Sequence, residues 1–328
     1  MMKLTVRTEV WPLAEAFAIS RDTRTVAKVV VAEVEADDVK GWGESVPYDR
    51  YGESLDGVVA DIEALAGALA NGMDRVALQQ RMKAGAARNA LDCALWDLEC
   101  KQSGQRIAER AGLPPLEPVI TAYTLGLDTP EKMAAKAKKY AHRKLLKCKL
   151  AGEGDLERIA AIHEAAPNAK LIVDANEGWR TDQVERFAQA LADLGVAMIE
   201  QPLPADQDAV LADLAHPIPF CADESCHTTA DLPRLVGRYD MVNIKLEKTG
   251  GLTEALKLKA AAEAEGMRIM IGCMVGTSLA MAPALCVAQG AEVVDLDGPL
   301  LMANDRTPGL MYDLERSLVA PPEPELWG

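Results

Sequence analysis

The fold is decided by a stretch of five short apolar runs: LKCKL (146–150), LIVDAN (171–176), AMIEQP (197–202), IPFCADES (218–225) and MVNIKLEK (241–248). Each run carries a charged residue at or near its end, and these residues are Lys149, Asp174, Glu200, Asp223 and Lys245. They follow one another at intervals of 25, 26, 23 and 22 residues, about the length of one strand and one covering helix in a parallel barrel. The pattern predicts a (β/α) barrel with all five at the carboxyl ends of its strands.

The same alternation of predicted strands and helices continues on both sides of this stretch. Eight strands are predicted in all: VITAYT, KLLKCKL, KLIVDAN, VAMIEQ, IPFCAD, MVNIKL, RIMIGC and EVVDLD. The segment 182–195 is typical of a covering helix, because its apolar residues form one stripe and Gly195 suits the position after the last turn. Eight strands close a barrel, so the fold class is α/β.

Residues 1–115 have a different pattern and are predicted to form an α+β domain in front of the barrel. Residues 25–36 alternate as antiparallel strands do, and helical patterns follow at about 55–70 and 87–100. The barrel is expected over 116–308. The proline-rich tail 309–328 is too short for another βα unit and is expected to pack back on the first domain.

Composition restricts the function classes. Asp and Glu number 50 against 35 Lys and Arg, and the resulting charge of −15 argues against nucleic acid or an anionic membrane as a partner. The seven cysteines form no CxxC pair and no zinc spacing, which indicates reduced thiols. The N-terminus has no signal-peptide core and no run is long enough to span a membrane. A soluble cytoplasmic enzyme is expected, and a homo-oligomer is compatible with these features.

The three strand-end acids predict a metal site. A single acid in this position is often only a helix N-cap. Three at matching intervals can converge, and oxygen ligands without imidazole or thiolate favour Mg²⁺ over Zn²⁺. The ligands would be Asp174, Glu200 and Asp223, with Asn176 and Glu224 supporting them from just beyond.

The lysines predict acid–base chemistry. On a strand Lys147 and Lys149 share one face, and their repulsion is expected to lower at least one pKa toward neutrality, although K-x-K alone is often a solvated edge. Lys149 ends the second strand and Lys245 the sixth, which lie opposite each other in an eight-stranded barrel. A substrate carboxylate on the metal would then have a lysine on each side of its α-carbon, a geometry suited to moving a proton from one face to the other.

These motifs resemble the enolase superfamily in its muconate-lactonizing subgroup. The resemblance rests on GWGES (41–45), ARNALDCALWDLECK (87–101), the K-x-K, the three acids and NIKLEKTGG (243–251). It implies an α+β capping domain over a (β/α)7β barrel, Mg²⁺, and Lys149 and Lys245 as the acid/base pair with Lys147 tuning Lys149. No histidine falls at the seventh strand end, which disfavours the mandelate-racemase branch.

Substrate recognition is expected from residues outside this core. Asp295 and Asp297 are predicted to end the eighth strand on one face, where they need a cation such as a substrate ammonium; this D-x-D resembles that of dipeptide epimerases. Arg24 lies in a stretch similar to L-Ala-D/L-Glu epimerases, where an arginine reads the glutamate side chain. Thr124 and Cys273 are further lining residues, or equally packing residues, and the loop 46–54 is expected to close over the site.

The sequence therefore predicts a Mg²⁺-dependent epimerase of L-Ala-D/L-Glu or a related dipeptide, with peptidoglycan-peptide recycling as the role implied by the resemblance. The alternatives are an N-succinylamino-acid racemase, an o-succinylbenzoate synthase, a muconate cycloisomerase or a non-catalytic carboxylate-binding barrel.

Overall fold

A computed structural model describes all 328 residues. Strands β1 (Lys3–Ala18), β2 (Thr23–Ala36) and β3 (Val39–Ser45) form an antiparallel sheet in that order. Five helices follow: α1 (Leu55–Glu63), α2 (Ala66–Ala70), α3 (Arg75–Arg81), α4 (Ala86–Ser103) and α5 (Ile107–Arg110). Alternate residues of β2 enter two different cores, because Val30 and Val34 pack among these helices while Val29 and Val31 join the core shared with the barrel. The central residues of β2 are therefore buried on both faces of the sheet.

The glycines of GWGES allow β3 to lie directly on α4. A Cβ atom on Gly41 would lie 2.3 Å from the carbonyl oxygen of Ala94, and one on Gly43 would lie 2.4 Å from that of Ala90. Only a residue without a side chain permits this approach. The motif that carried the family resemblance thus has a packing reason at two of its five positions.

The second part of the chain is a parallel barrel. After the short strand β4 (Val119–Ile120), eight strands pair in parallel in chain order: β5 (Tyr123–Leu125), β6 (Leu145–Lys149), β7 (Lys170–Asp174), β8 (Ile199–Glu200), β9 (Phe220–Ala222), β10 (Met241–Ile244), β11 (Arg268–Ile271) and β12 (Val293–Val294). The amide of Ala122, next to β5, donates to the carbonyl of Val294 in β12 at 2.8 Å and joins the two edges. The predicted α/β barrel is confirmed.

Helical segments connect successive barrel strands, and none longer than one 3₁₀ turn (Gly298–Leu301) follows β12. They are α6 (Pro130–Lys139), α7 (Asp155–Ala165), α8 (Thr181–Asp193), a 3₁₀ segment (Asp208–Asp213), α9 (Leu232–Leu235), α10 (Leu246–Thr249), α11 (Leu252–Ala264) and α12 (Ser278–Ala288). Of the predicted apolar stripe in α8, Val184, Phe187 and Leu191 are buried, whereas Leu194 lies just beyond the helix and is half-buried. Gly195 follows with a left-handed φ of 73°. No helix combines the length and the apolar character needed to cross a membrane.

Two predicted strands differ from the structure. VITAYT is not one barrel strand, because β4 pairs with β14 (Leu318–Val319) in a small sheet that also contains β13 (Tyr312–Asp313), and only the second part of the segment enters the barrel. EVVDLD is shorter than predicted, since β12 ends at Val294 and both aspartates lie beyond it. Apolar periodicity marks a strand but not the sheet it joins, which tertiary pairing decides.

Two arginines fasten the capping part to the barrel. Arg88 of α4 donates to the carbonyl of Thr249 at 2.6 Å and to that of Gly250 at 3.1 Å, at the carboxyl end of α10. Arg306 contacts Glu44 of β3 and Glu9 of β1, each at 2.6 Å. These buried or partly buried contacts connect segments that are far apart in the sequence. The domain boundaries near residues 115 and 308 stay predictions.

The tail after β14 lies against the capping helices. The indole of Trp327 is fully buried and donates to the carbonyl of Cys93 in α4 at 3.1 Å. The backbone amide of Gly328 donates to Asp97 Oδ1 at 2.8 Å. The tail thus contributes an aromatic side chain to the core shared by both parts.

We expect Trp327→Ala to destabilise the protein by about 3–5 kcal/mol, because it removes a large buried side chain and leaves a cavity. Urea unfolding followed by circular dichroism measures this. Leu314→Ala is the matched control, since Leu314 is 49% exposed and its loss should cost less than about 0.5 kcal/mol. Equal losses in the two variants would contradict an anchoring role for the tail.

Candidate active site

Three carboxylates converge at the carboxyl end of the barrel. Asp174 ends β7, Glu200 ends β8, and Asp223 follows β9, so parallel pairing of these neighbouring strands brings them together. One ligand atom from each lies within 4.8 Å of the others, and all three side chains are buried. Three oxygen donors without nitrogen or sulfur fit a hard divalent cation such as Mg²⁺. Glu200 Oε2 is buried and accepts no hydrogen bond, although the Lys147 ammonium group lies 2.7 Å from it.

Lys147 and Lys149 project from β6 toward these carboxylates. Lys149 Nζ lies 2.6 Å from Asp174 Oδ2. Lys147 Nζ lies 3.2 Å from the same oxygen, 2.8 Å from Asp295 Oδ2 and 2.7 Å from Glu200 Oε2. The last contact is an ion contact without hydrogen-bond geometry. Both lysines therefore occupy one face of the strand, as the period of two predicts.

Lys245 approaches the acids from the other side of the barrel. It follows β10, and its Nζ lies 2.7 Å from Asp223 Oδ2. In the observed strand order β6 is second and β10 sixth, which places Lys149 and Lys245 on opposite strands of the closed barrel. The acids occupy the strands between them.

The charges of this cluster are strongly coupled. Burial alone would raise the pKa values of Asp174 and Asp223, but the adjacent ammonium groups outweigh it and hold both well below the usual range. Burial and the negative charge of Asp174 raise the pKa of Glu200. Burial would lower the pKa of Lys245, yet Asp223 and Glu200 raise it.

The expected fall in a lysine pKa is not found at Lys147. Burial would lower its pKa, but Asp295, Glu200 and Asp174 surround the ammonium group and raise it well above the ordinary value. Repulsion from Lys149 is the only effect on this pKa that the spacing within the strand reveals. Three carboxylates outweigh one neighbouring ammonium group, so Lys147 is not a lysine with a lowered pKa.

Two supporting residues below the acids were not predicted. Lys248, fully buried, donates to Asp223 Oδ1 at 2.7 Å, to the Asp223 carbonyl at 2.6 Å and to the Asn243 carbonyl at 2.8 Å. The Asn243 amide donates to Glu200 Oε1 at 2.6 Å. Both lie in the NIKLEK run, where the spacing of three between Lys245 and Lys248 on a helical turn was an available signal.

A cavity opens between this cluster and the capping loops. The barrel contributes, among others, Lys149, Lys245 and Cys273, and the capping part contributes Arg24 and Tyr51. Arg24 Nε donates to Asp22 Oδ2 at 2.6 Å, and the guanidinium lies 5.2 Å from the ring centre of Tyr48. The structure thus places Arg24 at the cavity with a neighbouring acid as its partner.

Asn176 and Glu224, predicted to support the metal, also line this cavity. The Asn176 backbone amide donates to Asp174 Oδ1 at 2.9 Å. Glu224 Oε1 accepts from Arg21 at 2.7 Å. Arg21 was missed because an arginine between two strands has no sequence feature that separates it from Arg24, three residues later.

The D-x-D after β12 divides into two different environments. Asp295 accepts from Lys147 at 2.8 Å and lies 3.4 Å from the Thr124 hydroxyl. The cation that pairs with Asp295 is therefore a side chain of the protein itself. Asp297 accepts from the Thr124 backbone amide at 2.6 Å and forms no salt bridge within 4.0 Å. Burial and Asp295 raise the pKa of Asp297 to about 7. Of the two acids, Asp297 is the one without a cation of its own.

Family models match both parts of the chain. Residues 1–112 match the N-terminal domain of mandelate racemase/muconate lactonizing enzyme, and residues 132–311 match the enolase C-terminal domain-like family. The chain belongs to the enolase superfamily. Its matched segments cover the capping sheet and every barrel strand except β5.

Two curated relatives of this superfamily member match most of its length. L-Ala-D/L-Glu epimerase of Escherichia coli is 50% identical over 95% of this chain and 98% of the relative. N-acetyl-D-glutamate racemase of Pseudoalteromonas is 46% identical over 92% of this chain and 95% of the relative.

Solved structures of the superfamily agree with the fold. An Agrobacterium tumefaciens enolase family member with homology to dipeptide epimerases, with bound sodium and L-Ala-L-Glu, is 55% identical with a TM-score of 0.98 over 100% of both chains. A dipeptide epimerase from Enterococcus faecalis, complexed with Mg and L-Leu-L-Tyr, is 30% identical with a TM-score of 0.89 over 98% of this chain and 97% of that one.

The raised pKa of Asp297 predicts a pH-dependent stability difference. The folded state holds its proton more tightly than the unfolded state does, so this carboxyl lowers the stability as pH rises from about 4 to about 7. In the metal-free protein, Asp297→Asn should gain melting temperature relative to wild type over that range and level off above it. Scanning calorimetry measures the difference, and Asp206→Asn on the exposed surface is the control. A difference that does not change with pH would contradict the raised pKa.

Proposed function

We propose that the chain is a Mg²⁺-dependent dipeptide epimerase that inverts the C-terminal residue of L-Ala-D/L-Glu or a closely related dipeptide. One observation carries the proposal: two lysines project from opposite strands of the barrel toward a buried group of three carboxylates. The 50% identity with an L-Ala-D/L-Glu epimerase supports the same reaction.

The metal would be held by Asp174, Glu200 and Asp223, whose donor set fits a hard cation. A bound Mg²⁺ would offset the negative charge of these carboxylates, which raises the pKa values of Lys147 and Lys245, and would supply positive charge to the substrate carboxylate. Lys248 and Asn243 orient Asp223 and Glu200 from below.

The proton transfer is assigned to the two opposed amines. Lys149 Nζ takes or returns the α-proton on one face of the substrate and Lys245 Nζ does so on the other. Lys147, held by Asp295 and the metal ligands, contributes a fixed positive charge beside Lys149 and the substrate carboxylate. Both catalytic lysines line the cavity, which gives them access to a bound dipeptide.

Asp297 would bind the N-terminal ammonium of the dipeptide. It is a buried carboxylate beyond β12 with a backbone donor but no salt bridge, and a positively charged ligand would supply the missing cation. Arg24 lies at the cavity and would bind the side-chain carboxylate of the substrate in place of its present partner, Asp22. Cys273 lines the cavity, whereas Thr124 would act through its contacts with Asp297 and Asp295.

A second candidate is racemisation of N-acylated amino acids, favoured by the 46% identity with an N-acetyl-D-glutamate racemase. Such substrates use the same lysines and metal but carry no ammonium group. The absence of a salt bridge at Asp297 favours dipeptides over N-acylated substrates.

We place the activity in the cytoplasm because all seven cysteines are free thiols, as in a reducing compartment. We assign the enzyme a role in the recycling of peptidoglycan peptides.

We expect wild-type enzyme with Mg²⁺ to incorporate one deuterium at the C-terminal α-carbon of L-Ala-L-Glu and L-Ala-D-Glu in D₂O. A dipeptide library measured by mass spectrometry, with and without chelator, tests reaction, metal and specificity together. Lys149→Ala and Lys245→Ala should each lower epimerisation by at least about 10²–10⁴-fold, because each removes one proton carrier. Lys144→Ala, at an exposed position outside the cavity, is the control. Absence of exchange in wild type on every substrate would leave only a binding function.

Asp297→Asn should separate the two candidate substrate classes. Loss of the buried carboxylate is expected to lower kcat/KM for L-Ala-L-Glu by roughly 10²-fold, since the substrate ammonium loses a desolvated partner. N-acetylglutamate should be affected far less. Steady-state rates on both substrates, with thermal melting to check folding, measure this. Equal losses on both would remove the ammonium-binding role.

A further inference from the structure

One guanidinium connects the capping part to two barrel loops above the acids. Arg21 lies in the turn between β1 and β2 and lines the cavity. Its Nη2 donates to Glu224 Oε1 at 2.7 Å and to the Tyr48 hydroxyl at 3.2 Å. Its Nη1 donates to the Asn176 carbonyl at 2.6 Å and to Glu177 Oε2 at 3.1 Å. No other side chain bonds to both of these loops.

The two loops are those that follow candidate metal ligands. Asn176 comes two residues after Asp174 and donates its backbone amide to Asp174 Oδ1 at 2.9 Å. Glu224 follows Asp223 directly in the chain. Fixing Asn176 and Glu224 with one planar group therefore fixes the spacing between the strand ends that carry Asp174 and Asp223.

The backbone held by Arg21 is locally unfavourable. Asn176 and Glu177 are consecutive non-glycine residues with φ of 44° and 63°, a left-handed conformation that is unfavourable for residues with a side chain unless surrounding contacts stabilise it. The hydrogen bonds from Arg21 to the Asn176 carbonyl and to the Glu177 side chain are two such contacts.

Two oxygen atoms at this position have no donor. Asn176 Oδ1 and Glu224 Oε2 are buried and accept no hydrogen bond, although both residues line the cavity. A buried acceptor without a partner is costly, and a site built to receive a ligand explains it. Water on a hydrated cation or an N–H group of a substrate would supply the donor.

We propose that Arg21 is a positioning residue of the metal site, which holds the loops after Asp174 and Asp223 at their working separation and aims Asn176 and Glu224 into the cavity. The proposal rests on the proposed function for the identity of the cation, Mg²⁺. It assigns to the capping part a role in metal binding, through a residue that contacts no metal ligand side chain directly. Removing supporting groups of this kind typically weakens metal binding by about 10–100-fold.

The test is titration of metal-free protein with Mg²⁺ by isothermal calorimetry, which does not depend on activity. Arg21→Met should raise the dissociation constant by about 10–100-fold. Arg21→Lys should lie between, because an ammonium group pairs with Glu224 but cannot hold Asn176 at the same time. The matched control is Arg50→Met. Arg50 bonds to Glu177 at 2.9 and 2.8 Å but contacts neither Asn176 nor Glu224, so its loss should leave Mg²⁺ binding within about twofold.

A kinetic measurement separates positioning from simple loss of structure. The Mg²⁺ concentration that gives half-maximal α-proton exchange should rise in Arg21→Met more than kcat at saturating Mg²⁺ falls, with the melting temperature of the metal-free protein close to wild type. If Arg21→Met destabilises the fold, Arg21→Lys against Arg50→Met gives the same comparison. Wild-type affinity in both Arg21 variants would overturn the proposal while leaving the epimerase function intact. Mg²⁺ binding without exchange in wild type would overturn the function alone, and no Mg²⁺ binding in wild type would overturn both.

Discussion

The arrangement of buried charge at the barrel mouth is the constraint on which the structure depends. Asp174, Glu200 and Asp223 are buried with little solvation, and like charges at this separation repel strongly. Lysines from β6 and from the residues after β10 supply the opposite charge, with two ammonium groups on Asp174 and two on Asp223. This pairing of opposite charges forms only when the strands lie in one order and one register. The closed barrel and the charge cluster at its carboxyl end therefore depend on the same strand arrangement.

The barrel strands and the charged residues at their ends could be predicted from the sequence, because both recur periodically. Strand ends recur at the length of one βα unit, and a period of two fixes which lysines share a face, so Lys149, Lys245 and the three acids could be located before any coordinates. Eight strands imply closure, and closure implies that the second and sixth face each other. The observed strand order agrees with that count. The catalytic and metal-binding roles themselves stay proposals.

The remainder depends on contacts between segments far apart in the chain. Arg21 and Arg24 occupy one short turn, and nothing local indicates that the first reaches two barrel loops while the second pairs with Asp22. The apolar run containing β4 gives no sign that its first half pairs with the tail. The pKa of Lys147 follows from three carboxylates on three other strands or loops, which the spacing within β6 cannot reveal.

The close packing of β3 against α4 limits how a substrate can enter the cavity. With Gly41 and Gly43 in backbone contact with that helix, and with Arg88 and Arg306 fastened to the barrel, the capping sheet cannot swing outward as a rigid lid without breaking buried contacts. Admission of a dipeptide and release of its epimer then require rearrangement of a short connection at the cavity, such as the loop of residues 46–54. Exchange of substrate and product is then a local event that leaves the two cores undisturbed.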